Sequence, residues 1–302
     1  MQIILDTHFN NLEQFIDEVQ HWDLDFRLLG VGGFVGRMKQ LVSRDVIIGY
    51  ARFDRGLDQV GSTPPGYRTF GIVGNRCHGF RWRKHQITQN DLLIFPESNE
   101  LQGASHADFE VFTISVHRDY LDQLVDNLGM NRISNKREVV HLDARTAQGL
   151  RQLAATIIKP LAGGSEIQTA VRELTERLVV CATDSLTEKI PSLRKRDFAV
   201  DSIVEFVRSV PAPTSELAQL CRIAGVSERT LQYAFKERYG IAPNVFVKRW
   251  NLNSARQLLL LANSTETSIA DIALRFGFSH HSQLTTDYKK LFAELPSKTL
   301  GH

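Results

Sequence analysis

Leu217-Ala218-Gln219-Leu220-Cys221-Arg222-Ile223-Ala224-Gly225-Val226-Ser227 and Ile269-Ala270-Asp271-Ile272-Ala273-Leu274-Arg275-Phe276-Gly277-Phe278-Ser279 are two copies of one pattern, offset by 52 residues. Beyond the serine the offset becomes 53, and Leu231, Phe235, Lys236, Tyr239 and Pro243 match Leu284, Tyr288, Lys289, Phe292 and Pro296. Each copy reads as a helix, a tight turn and a second helix. Leu217 and Leu220, or Ile269 and Ile272, give the first helix an apolar face. Ala218 or Ala270 is small enough for the second helix to cross closely. Gly225 or Gly277 supplies the left-handed residue that ends the first helix without a Cβ penalty. Val226 or Phe278 fills the corner, and Ser227 or Ser279 is placed to cap the next helix through a free backbone N–H. One copy alone could be a plain helical hairpin. Two copies with the same small, glycine, serine and aromatic positions read as paired helix-turn-helix units.

Between the copies lies Pro243 to Leu261, with a proline suited to a helix start and an apolar stripe through Val245, Phe246, Trp250, Leu252, Ala255, Leu258 and Leu259. Nineteen helical residues make a rod roughly 28 Å long. That is close to the ~34 Å repeat of B-DNA, so such a rod could hold two recognition helices in successive major grooves. In the first recognition helix Arg229, Gln232, Tyr233 and Lys236 form one exposed stripe, with Leu231, Ala234 and Phe235 turned inward. In the second, the stripe is His281, Ser282, Gln283, Thr286 and Lys289, with Ser279 at the helix start. Arginine can pair with guanine, glutamine with adenine and lysine with phosphate. The second stripe is less cationic and is expected to bind more weakly.

Charge follows the same division. From Pro191 onward there are 15 Lys and Arg against 10 Asp and Glu, whereas residues 1–190 carry 21 against 24. A basic C-terminal third is what a phosphate-binding surface requires. The whole chain, 302 residues with 42% apolar and 23% charged, has a globular balance and room for two domains. No apolar run is long enough to span a bilayer, and the start lacks a basic region before an apolar one, so a cytoplasmic protein is expected. The cysteines Cys77, Cys181 and Cys221 are odd in number and widely spaced, a pattern of reduced packing residues rather than a disulfide or zinc framework.

The N-terminal half is of another kind. Residues 1–25 read as helical through Leu12, Phe15, Ile16 and Val19. From about Phe26 to His117, β-rich runs such as Val46–Ala51, Tyr67–Val73, Gly79–Trp82, Asp91–Phe95 and Phe109–Val116 are separated by turn residues, which predicts a sandwich or small barrel. Helical periodicity returns at Arg118–Leu128, Asp143–Ile158 and Glu166–Leu186. Thr187–Arg196 reads as a linker, and everything from Asp197 to Lys290 as helical. The expected class is α+β, with residues 1–190 as one unit (β-rich over 26–117, helical over 118–188) and residues 191–302 as an all-α DNA-binding unit. Phe70, Trp82, Phe95 and Phe112 are candidates to line an effector pocket, or else simply core. Val171, Leu174, Leu178 and Cys181 form a stripe expected to serve a homodimer interface, the alternative being packing on the β-domain.

Leu217-Ala218, Gly225-Val226-Ser227-Glu228-Arg229-Thr230-Leu231, Phe235-Lys236, Tyr239-Gly240-Ile241-Ala242-Pro243, Ala255-Arg256, Ile269-Ala270-Asp271-Ile272-Ala273, Gly277-Phe278-Ser279 and Pro296-Ser297 together resemble the AraC/XylS family of transcriptional regulators. The resemblance covers about residues 197–300. It implies a seven-helix domain with two recognition helices, double-stranded promoter DNA as partner, RNA polymerase as a second partner, and no cofactor. Leu284, Thr286, Ala293 and Leu300 stand where the family usually has Phe, Arg, Gly and Tyr, and Thr286 weakens the expected contact of the second unit. The N-terminal half resembles the cupin-like β-sandwich and dimerising helices of such regulators, which implies an unidentified small-molecule effector. Gly36-Arg37-Met38 and Arg68-Thr69-Phe70-Gly71 make it most similar to the ethanolamine-utilisation regulators.

Three other functions are weighed. A metal-dependent cupin enzyme would need a His-x-His pair with a nearby carboxylate, and His78, His85, His106 and His117 are scattered instead, so neither metal nor catalytic residue is expected. A methyl-accepting repair regulator would use Cys77, but Asn75-Arg76-Cys77-His78 has no preceding proline and no second cysteine nearby. A DNA binder without effector is compatible with the sequence.

Overall fold

The computed structural model describes residues 2–19, 21–75, 80–96, 101–159, 164–183, 195–262 and 267–300. Among these residues the N-terminal half is built on two antiparallel sheets. The first runs in the order β1 (Gln2–Phe9), β3 (Gly36–Val42), β4 (Val46–Phe53), β11 (Phe109–His117), β6 (Tyr67–Val73), β9 (Asp91–Ile94), β12 (Val139–His141). The second runs β2 (Asp23–Leu28), β5 (Leu57–Ser62), β10 (Leu101–Ala104), β7 (Phe80–Trp82), β8 (His85–Ile87). Residues 1–25, expected as one helix, instead form β1 and the short helix α1 (Leu12–Glu18). Leu5 and Phe9 are buried along β1 with exposed residues between them, the strand period. Asn11 ends the strand by capping α1, its side chain accepting from the Gln14 N–H at 2.7 Å.

Alternation along each strand divides the apolar side chains between two cores. On one face of the larger sheet, Phe70, Ile72, Phe112, Ile114 and Val116 pack against α2 (Arg118–Asn127), α3 (Ala144–Ile158) and α4 (Gly164–Thr183). This core also takes up Val171, Leu174 and Leu178, which are 8%, 0% and 0% exposed. The stripe expected at a dimer interface is therefore spent on the chain's own β-domain, and only Cys181 of the four remains partly accessible. Burial of each such leucine contributes roughly 1.5–3 kcal/mol. On the other face, Phe53, Val73, Leu93, Phe95 and Phe109 meet Phe80 and Trp82 of the second sheet.

The C-terminal half runs α5 (Lys195–Ser209), α6 (Leu217–Ala224), α7 (Glu228–Tyr239), α8 (Pro243–Leu261), α9 (Ile269–Arg275), α10 (His281–Phe292) and α11 (Pro296–Leu300). The boundary expected at residues 190/191 and nearly all of the linker lie outside the described residues. The two halves share packing. Leu252, Ala255, Leu259, Ile272, Phe276, Leu284 and Tyr288 belong to the core that also holds Phe9, Phe15 and Phe26. Leu29 and Ala104 join the core of the first unit around Leu231, Phe235, Phe246 and Trp250. Among the described residues no helix is long and apolar enough to cross a membrane.

Candidate nucleic-acid interface

The duplicated sequence makes a duplicated backbone. Gly225 has φ +64° and Gly277 φ +75°. Around the first, the Gly225 N–H donates to the Arg222 carbonyl at 3.4 Å and the Val226 N–H to Cys221 at 3.3 Å. Around the second, Gly277 donates to Leu274 at 3.1 Å and Phe278 to Ala273 at 2.9 Å. Both turns thus close the orphan carbonyls of the preceding helix in the same way. Ala218 and Ala270, expected at the helix crossing, are exposed; Leu220 and Ala224, and Ile272 and Ala273, make the buried contacts.

The second helices differ at their starts. Ser227 caps α7 as expected, accepting from the Thr230 N–H at 3.4 Å. Ser279 does not cap α10. The residue added in this copy moves the cap to His280, which makes no side-chain cap bond. Asn251 and Lys248 on α8 hold the two units together. The Asn251 Nδ2 donates to the Pro213 carbonyl at 3.0 Å and to that of Phe276 at 3.3 Å. Lys248 Nζ lies 2.5 Å from an Asp287 carboxylate oxygen on α10.

The recognition stripes are open. Arg229, Gln232, Tyr233 and Lys236 on α7, and His281, Ser282, Gln283, Thr286 and Lys289 on α10, are all exposed, while Leu231, Ala234, Phe235, Leu284 and Tyr288 are buried beneath them. Gln232 is engaged with its neighbour, its Nε2 donating to Glu228 at 2.8 Å. Thr286 Oγ1 donates to the Ser282 carbonyl of its own helix at 2.9 Å. The Tyr233 ring lies 5.7 Å from the Arg229 guanidinium and 5.9 Å from that of Arg196. Arg196 also sits 3.6 Å from Glu237. Arg196 lies in the first turn of α5 rather than in a linker, and the basic pair Lys195-Arg196 is its signal in the sequence.

Of the four aromatic pocket candidates, Trp82 and Phe95 line a cavity between the sheets, with ring centroids 4.4 Å apart. Phe70 and Phe112 do not; they point to the opposite face of the larger sheet, into the helix-covered core. Along β11 the cavity receives Phe109, Val111 and Thr113, so strand parity sends Phe112 away. His85 bonds Glu138 at 3.1 Å, and His117 Nδ1 lies 3.8 Å from Asp119. Cys77 and His78 lie outside the described residues. Among the described residues no three His, Cys, Asp or Glu side chains gather as a metal site.

Residues 220–302 match the family model described as a helix-turn-helix domain. The chain is 24% identical over 233 residues to a XylDLEGF operon transcriptional activator of Pseudomonas putida, covering 74% of this chain and 70% of that protein. It is 28% identical over 231 residues to the HTH-type transcriptional activator RhaS of Enterobacter sp. (strain 638), covering 74% and 80%. A crystal structure of the AraC-like transcriptional activator CuxR aligns over 88% of this chain and 98% of that one, at 17% identity and a TM-score of 0.44. With two glycine turns of one hydrogen-bond pattern joined by a single rod, and with these likenesses of sequence, the chain belongs to the AraC/XylS family of DNA-binding transcriptional regulators.

Proposed function

We propose that this protein activates transcription by laying α7 and α10 in successive major grooves on one face of promoter DNA. The observation that carries the reading is the repeated left-handed glycine turn at Gly225 and Gly277, one in each helix-turn-helix unit on either side of the 19-residue helix α8. Arg229 and Gln232 read base edges, and Tyr233 packs beside them. Lys236 and Lys289 contact phosphate, and His281, Ser282, Gln283 and Thr286 give the second unit a hydroxyl- and amide-rich edge. Relatives named as activators support contact with RNA polymerase. The N-terminal sandwich serves as a regulatory unit with a small-molecule effector rather than as an enzyme, within a cytoplasmic protein. A homodimer on repeated half-sites fits this reading, but through a surface other than Val171, Leu174 and Leu178.

Footprinting of the full chain on the DNA upstream of its own gene and its neighbours tests this. Protection over about two helical turns, with affinity falling steeply in salt, is the expected result. Equal affinity for that DNA and for random DNA would overturn it.

A further inference from the structure

Arg196 and Asp197, neighbours in the first turn of α5, are held from two different sides. Asp197 pairs with Arg81 on β7, whose side chain is buried in the N-terminal half. One position back, about 100° around the helix axis, Arg196 meets α7 instead. Its guanidinium lies 5.9 Å from the centroid of the Tyr233 ring, and the Arg229 guanidinium lies 5.7 Å from the same ring. Tyr233 itself is half-exposed on the recognition stripe. The start of α5 thus joins the β-rich half to the edge of the recognition helix.

Arg229, Tyr233 and Glu237 recur every four residues and share one edge of α7. Arg196 stands beside the middle and the last of them, 3.6 Å from a Glu237 carboxylate oxygen. Both members of that ion pair are exposed, so it contributes little to the fold. Groove geometry says what such a cation meets. A helix in a major groove about 12 Å wide has base edges beneath it and a phosphate strand along each side. Arg196 and Arg229 flank one ring, so at the distances above they are no farther apart than the groove is wide. Arg229, on the recognition helix, faces the base edges. A guanidinium set sideways on the neighbouring helix faces the strand at the rim, and its planar fork matches a phosphate.

We infer that Arg196 is a DNA-phosphate contact outside both recognition helices, and that the Arg81–Asp197 pair makes the N-terminal half the support that holds it in place. This deepens the DNA-binding function proposed above and rests on α7 lying in the groove. The ligand is the backbone and not a base, because Arg196 is carried on α5, behind the stripe that reads the groove. Arg81 and Asp197 are positioning residues: neither faces the DNA, and both act through the first turn of α5. Glu237 is the counter-charge that Arg196 exchanges for a phosphate when DNA binds.

The test titrates the full chain and its variants against the footprinted promoter fragment over a range of salt concentrations. Arg196→Ala, a change at an exposed residue that leaves the core intact, should weaken binding about three- to tenfold and evenly across operator variants. It should also lower the salt slope by about one. Glu237→Gln should leave affinity unchanged or raise it, since a carboxylate beside the phosphates is removed. Asp197→Ala should weaken binding several-fold in the natural chain and add nothing in the Arg196→Ala background, because both changes remove one contact. The inference is overturned if Arg196→Ala leaves affinity and salt slope unchanged, or if it alters preference at particular base pairs. It is overturned equally if Glu237→Gln weakens binding as much as Arg196→Ala, which would make the ion pair a mere tether between α5 and α7. An Asp197→Ala loss that persists in the Arg196→Ala background overturns the positioning role. A normal footprint of the natural chain alongside any of those results confines the failure to Arg196 and its support, leaving the groove-binding role of α7 standing.

Discussion

Asn253, in the middle of α8, completes the backbone hydrogen bonds of Leu28 at the end of β2: its Oδ1 accepts from the Leu28 N–H at 2.9 Å and its Nδ2 donates to the Leu28 carbonyl at 3.1 Å. β2 is the edge of its sheet, where backbone groups are otherwise left unpaired. One side chain of the DNA-reading half thus does what a neighbouring strand would do. Around it, the Arg27 guanidinium lies 3.7 Å from the Trp250 ring centroid, and Arg256 on α8 bridges Glu13 on α1 to Glu294 and the Tyr288 hydroxyl.

Replacing Asn253 by leucine keeps the branched shape and leaves the buried Leu28 N–H and carbonyl unpaired. The expected loss is about 1–3 kcal/mol. Denaturant unfolding of the full chain measures it, and a loss below about 0.5 kcal/mol would show that water replaces the amide freely.

Ala293 occupies a left-handed conformation, φ +60°, at the end of α10. Its counterpart Gly240 at the end of α7 has φ +70°. A non-glycine residue in this region costs roughly 1–2 kcal/mol. Ala293→Gly should therefore stabilise the chain by about 1 kcal/mol. Gly225→Ala should destabilise by a similar amount for conformational reasons alone, since a Cβ there meets nothing within 4 Å. Thermal melts of the two variants should move in opposite directions.

Burial pushes the Asp58 carboxyl up from 3.8 to about 6, against the pull of Arg208, Arg238 and Arg27. Between about pH 4 and pH 6 the folded chain then holds a proton that the unfolded chain has released. Stability conferred by this group is fully present below the lower value and is lost as pH rises through the upper one. The expected change across the window is at most about 3 kcal/mol. Unfolding free energies compared at pH 4.5 and pH 7 should show a decline in the natural chain that Asp58→Asn removes.

Arg229→Ala should relax sequence preference at one or two base pairs, because a good bidentate base contact discriminates by about 1–3 kcal/mol. Thr286→Ala should weaken binding slightly and evenly, as the Thr286 hydroxyl is already bonded to Ser282. The check is base-by-base substitution of the operator. If the half-site under α10 tolerates fewer changes than the half-site under α7, the assignment of roles is wrong.

The C-terminal half was legible because its signals are local. A glycine that must turn left-handed, a proline that opens a helix and a 3.6-residue stripe all act within a few residues, and α8 spans Pro243–Leu261 as the pattern predicts. What failed was tertiary or turned on a single residue. Ser279 matches Ser227 in identity, yet the added residue denies it the cap. Phe112 and Val111 are adjacent on one strand, and the alternation that separates them is visible in the sequence, but nothing local says which parity faces the cavity. Leu174 and Leu178 advertise an apolar face without naming the surface that covers it. Arg196 comes beside Tyr233 only through the packing of α5 against α7, which no local pattern announces.

The Gly32 N–H lies 3.1 Å from the carbonyl oxygens of both Lys290 and Leu291, so a loop of the N-terminal half closes the last turn of α10. Anyone building chimaeras from chains of this type would cut between the two halves. A foreign DNA-reading half grafted there would bring its own helix end, with no donor from this loop shaped to meet it, and its own rod, with no asparagine opposite Leu28. The unit of exchange, for an engineer or for recombination, is therefore the fitted pair rather than either half.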